Sequence, residues 1–118
     1  MFMRPLRPTQ KILLSCVALA ILVTLVVMFW QQTELLAGIL LMLSLLVLLL
    51  SHDRRRDAVP FVIGAVLGPA MEAVVIRSGA WQYTSPTALG IPLWLPFLWG
   101  LTAMFIMKIS RWYAAWTA

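Results

Sequence analysis

Apolar residues fill four long stretches of this chain. They do not alternate as in a half-buried strand, nor form the one-sided stripe of a surface helix. Residues 12–30 hold no charge, and neither do 35–50 or 88–107, while 58–76 are interrupted only by Glu72. Each stretch is close to the roughly 20 residues that cross a hydrocarbon core of about 30 Å at 1.5 Å per residue. The second is the shortest, and Glu34, Ser51 and His52 extend its ends into the headgroup layers. A segment in lipid must pair its own backbone groups, which a helix does; a barrel needs alternating polar positions, and none appear. The pattern predicts an all-α fold, a four-helix transmembrane bundle with helices over about 12–31, 34–51, 58–77 and 88–108, in one integral membrane domain covering 1–118.

Composition narrows this further. The chain has 118 residues, 63% of them hydrophobic and 11% charged. A small soluble domain leaves too much surface in water to hide that apolar load, and disordered chains are poor in apolar residues. The net charge of +5 does not point to nucleic acid, because the basic residues sit at the ends of the apolar runs. Arg4, Arg7 and Lys11 precede the first run, Arg54, Arg55 and Arg56 lie between the second and third, and Lys108 and Arg111 follow the fourth. Of the nine Lys and Arg residues only Arg77 falls on the other side of four alternating spans. Such a bias predicts both termini in the cytoplasm and a multi-pass protein of the bacterial inner membrane. The first run resembles a signal peptide but is too long and ends in Phe29-Trp30-Gln31-Gln32, so it reads as a retained helix. Cys16 is alone and forms no intramolecular disulfide.

The two hairpins differ. The first is nearly all Leu, Val and Ile and reads as lipid-facing scaffold, since lipid tails compete equally for a Leu-rich face. Its short connection predicts a tight antiparallel pair. The second carries most of the Gly, Pro and Trp. Gly64, Gly68 and Glu72 fall at i, i+4 and i+8 on one helical face, where the glycines permit close packing by a neighbouring helix. Glu72 lies about 7–8 Å from the middle of its run, within the hydrocarbon, where an acid is costly. It either reaches headgroups or water and tunes packing, or serves as a proton-exchanging or ligand-orienting carboxyl. Trp81 and Tyr83 offer an N–H and an O–H. Pro96 is expected to free the carbonyl of Pro92 for a protonated Glu72, and Pro69 to free that of Ala65, so that both helices bend. Trp81, Tyr83 and Trp94 fit an outer aromatic belt; with Trp99 they also crowd Glu72 as candidate ligand-binding residues. Trp112, Tyr113 and Trp116 fit an inner belt. His52, Asp53 and Asp57 beside three arginines make a poor cation site, so neither a metal nor a cofactor is expected.

From Glu72 onward the string Gly79-x-x-x-Tyr83, Gly90-Ile91-Pro92 and Pro96-x-x-Trp99 resembles part of the membrane carotenoid-biosynthesis families, the carotenoid hydratase and lycopene-cyclase-like group. It also resembles short uncharacterised bacterial membrane proteins with the same hairpin. The likeness covers about a quarter of the chain. Those carotenoid families are longer and carry further acidic residues, including paired acids that this chain lacks. The resemblance implies a pocket for a long apolar, isoprenoid-like ligand. Three readings follow: a non-catalytic accessory or lipid-binding subunit, a minimal membrane enzyme using Glu72, or a small homodimeric proton-coupled transporter. The expected partners are the bilayer and a membrane protein or second copy, not nucleic acid.

Overall fold

The computed structural model describes residues 4–118 and is all-α. Helix α1 covers Pro8–Phe29, α2 Thr33–Leu49, α3 Arg54–Arg77 and α4 Leu95–Thr117. Two of these, α1 and α3, are long and apolar enough to cross a membrane; α2 is apolar and shorter.

Local chemistry sets the helix ends. Pro8 opens α1, where its missing N–H costs nothing and its fixed φ suits the first turn. The backbone N–H of Arg7 donates to the Gln10 side chain at 2.9 Å. Asp53 caps α3 by accepting from the Arg56 N–H at 3.0 Å. Both helices therefore begin four residues before their apolar runs suggest, because a polar first turn can be well capped.

The fourth helix departs most from expectation. It starts at Leu95, not near 88, and Pro96 lies in its first turn rather than at a kink. The Pro92 carbonyl accepts from the Leu95 N–H at 3.1 Å and is not left for Glu72. Residues 88–91 instead form a tight hairpin turn, paired between Ala88 and Ile91. Leu89 and Gly90 both have positive φ, 54° and 79°, the signature of a type I′ turn. Leu89 is 74% exposed and so gains no packing for a strained backbone. Leu89→Asn, which tolerates the left-handed region, should stabilise the fold by about 0.5–1 kcal/mol. A rise in Tm of a few degrees in detergent is the expected readout, and a fall would mean that the leucine side chain is needed there.

α4 is the hub of the fold. It packs on α1, α2 and most extensively on α3, while α1 and α3 do not touch each other. α1 and α2 meet only sparingly, so the first hairpin does not close on itself as a tight pair. Nor is it only scaffold: Leu22, Leu36, Ala37 and Leu40 form the core with Trp94, Leu95, Leu101 and Met104. α3 continues through Pro60 and Pro69 without a break.

The α3–α4 contact is close because small residues line it from both sides. A Cβ on Gly64 would lie 2.5 Å from the Ala103 Cβ and 2.7 Å from the Trp99 carbonyl oxygen. A Cβ on Gly68 would enter the Trp99 indole, and one on Gly100 would meet the Phe61 ring at 2.7 Å. The glycines are thus spacers that let two backbones and an aromatic ring share one layer.

Candidate functional site

Close packing of α3 on α4 brings Glu72 to Trp99. The Trp99 indole N–H donates to Glu72 Oε2, and the Tyr83 hydroxyl donates to Oε1 at 2.5 Å. One carboxyl group therefore joins α3, α4 and the connection between them. That connection is seated on α3 at Gly90, where a Cβ would lie 3.0 Å from Ile76 Cγ2. Burial, together with the hydrogen bond and charge of Glu72, holds the Tyr83 phenol well above the usual tyrosine range. A phenol whose ionisation is raised by folding adds stability that is full below its unfolded value near 10 and lost as pH climbs beyond it. Tyr83→Phe should remove that alkaline decline, as read from Tm against pH.

The two donors are not equivalent. An indole N–H only donates, whereas a phenol can donate or accept. Tyr83 is therefore the one of the two that can reverse its hydrogen bond with Glu72, while Trp99 can only donate. A cleft of about 240 Å³ lies beside this pair, lined by Glu72, Tyr83, Leu95, Leu98, Trp99 and Thr102.

Of the aromatic residues singled out in the sequence, Tyr83 and Trp99 touch Glu72. Trp94 stands behind Tyr83, ring centroids 6.0 Å apart and planes at 89°. Trp81 is exposed and makes no ring contact with them. The Trp94 indole N–H is buried without an acceptor. Leaving such a donor unpaired is costly, so Trp94→Phe should be tolerated far better than Trp99→Phe, which loses the bond to Glu72. We expect a difference of about 1–2 kcal/mol between the two variants in thermal stability. Equal losses would argue against the Trp99–Glu72 bond.

At the far end of the same α3 stripe is a second polar cluster. Asp57 is buried; it accepts from Ser51 and pairs with Arg111 at 2.9 Å and Lys108 at 3.1 Å. In the sequence Asp57 stands out only beside three arginines, as part of a poor cation site. Yet Asp57, Phe61, Gly64, Gly68 and Glu72 follow 4-3-4-4 spacing, so the glycine face extended toward the start of α3 leads to it. Nearby, the Lys11 ammonium lies 3.8 Å from the centroid of the Trp112 ring, which ties the start of α1 to the end of α4.

A family model described as "Protein of unknown function (DUF2878)" matches residues 12–117. The chain belongs to that family. The DUF2878 match takes in α2, α3, α4 and most of α1, so both polar clusters lie inside it. It supports no activity by itself and shows no carotenoid-biosynthesis family. No curated protein and no solved structure matches the chain.

Proposed function

We propose that this protein is a multi-pass membrane protein of the bacterial inner membrane that holds an amphiphilic lipid as a non-catalytic accessory subunit. The most apolar windows of α1 and α3 are only 11% and 17% buried, unlike the core helices of a soluble fold. Leu13, Val23 and Val27 of α1, Met42 of α2 and Val66 of α3 are all exposed, a surface suited to lipid. The contacts of Lys11 with Trp112 and of Asp57 with Lys108 and Arg111 bring the starts of α1 and α3 and the end of α4 together, and gather Lys11, Lys108 and Arg111 at one end. That clustering supports cytoplasmic termini.

One observation carries the lipid reading. Between α3 and α4 runs a groove of about 490 Å³, lined by Pro60, Ile63, Leu67, Met71, Ile106 and neighbouring residues. Its lining shares Trp99 and Thr102 with the cleft beside Glu72. An apolar channel that meets one carboxyl suits a long hydrocarbon chain with a polar head that donates hydrogen bonds. The carotenoid-like string, which implies an isoprenoid ligand, supports the same chemistry. A two-acid mechanism is disfavoured: Asp57 lies about 22 Å from Glu72 along α3 at 1.5 Å per residue. Glu34 lines a different groove, on α2.

The test is native mass spectrometry of protein released from membranes in mild detergent. The wild type should retain one lipid per chain. Leu67→Trp, which fills the groove at an exposed position, should lose it; Val23→Trp on α1 should keep it. A wild type without retained lipid, or an equal adduct on Leu67→Trp, would refute the reading.

A further inference from the structure

A separate cavity of about 270 Å³ lies where the end of α1 meets the connection between α3 and α4. Its walls include three aromatic rings from three segments: Trp30 after α1, Tyr83 in the connection and Trp94 at the cap of α4. Gln82, Thr84 and Ser85 supply polar groups. We propose that this cavity is a binding site for a small organic cation, a quaternary or primary ammonium group such as the choline or ethanolamine moiety of a headgroup.

Four features argue for a cation. Tyr83 and Trp94 pack edge to face at right angles, and with Trp30 they line the cavity on aromatic carbon. Aromatic faces carry negative quadrupolar charge and attract ammonium ions, most strongly where water is thinned out. The Tyr83 hydroxyl donates to Glu72, which raises the electron density of the phenol ring and adds the field of a carboxyl group. Among the described residues no Lys or Arg lines the cavity, so no internal cation satisfies the rings. The volume lies just below that of pockets for drug-sized ligands, which suits a headgroup fragment rather than a whole lipid. This proposal does not depend on the α3–α4 groove, with which the cavity shares no lining residue.

Charge must be separated from shape in the test. Choline and its neutral isostere 3,3-dimethylbutan-1-ol have nearly the same outline. Full-length protein in detergent is titrated with each while tryptophan fluorescence is followed, and helicity is checked by circular dichroism. Choline should give a saturable response at least tenfold tighter than the isostere. Gln82→Lys sets a tethered cation at an exposed position of the wall and should weaken choline binding at least tenfold without touching the core. Trp30→Leu should do the same, and Trp30→Phe should restore part of the loss. Trp116→Leu, at the end of α4, should leave binding unchanged. Ethanolamine in place of choline tells a primary from a quaternary ammonium site. An equal response to the isostere, no saturable response to either cation, or choline binding that survives Gln82→Lys would overturn the proposal.

Discussion

Asp57→Asn should lower the stability of the protein by about 2–3 kcal/mol, the largest loss expected from any isosteric change in the chain. The substitution keeps the shape and the contact with Ser51 but removes the carboxylate that, among the described residues, alone pairs with Lys108 and Arg111. Asp57 is almost fully buried, whereas the two cations keep 22% and 26% of their side-chain exposure. They can turn partly to water, which holds the cost below the 3–5 kcal/mol typical when a wholly buried pair is broken. The reverse deletion should be mild. Lys108→Met leaves Arg111 on Asp57, and about 1 kcal/mol or less is expected. Thermal unfolding of the two variants in one detergent checks the asymmetry. Equal losses would mean that Asp57 does not hold both helices.

Gly68→Ala should be the most damaging conservative change on the glycine face. A methyl group there occupies the space of the Trp99 indole, so the ring must leave and its bond to Glu72 goes with it. Overpacking costs about 1–3 kcal/mol, and the lost hydrogen bond about 1 more. Helix propensity returns about 1 kcal/mol, leaving a net loss near 1–3 kcal/mol. In a Trp99→Ala background the same Gly68→Ala change should cost nothing, since the obstacle is gone. Gly38 provides the control. Nothing lies within 4 Å of a Cβ placed on it, and Gly38→Ala should stabilise α2 by up to about 1 kcal/mol.

Much of this arrangement is legible in the residue pattern, for physical reasons. Long uncharged runs mark helices, and three of the four lie close to where the runs put them. The i, i+4, i+8 spacing of Gly64, Gly68 and Glu72 identifies the face that meets α4. Tyr83 is expected from the sequence as a partner for Glu72, but the indole that joins it is that of Trp99, which the sequence offers only as a ligand-binding ring, and not that of Trp81. Hydropathy misleads at residues 88–94, which are apolar enough for a span but contain Gly90 and Pro92. Turn chemistry prevails there, and Pro96 opens a helix instead of bending one. Asp57 escaped because three arginines precede it, and charge next to charge reads as solvated loop. Its partners Lys108 and Arg111 lie more than fifty residues away, a distance that local spacing does not bridge. The role of α4 as hub has no local signal either. It arises from Gly100 and Ala103, which admit α3 on one side, while Leu101 and Met104 enter the core with α1 and α2.

The most direct test is of the Glu72 bridge itself. Indole N–H resonances of ¹⁵N-tryptophan-labelled protein in nanodiscs would be followed through hydrogen exchange, with Trp99 assigned by Trp99→Phe. The bridge predicts that the Trp99 N–H exchanges far more slowly than that of exposed Trp81, and that Glu72→Leu moves and deprotects it while leaving Trp112 and Trp116 in place. A Trp99 resonance that exchanges as fast as Trp81 and ignores Glu72→Leu would contradict the account.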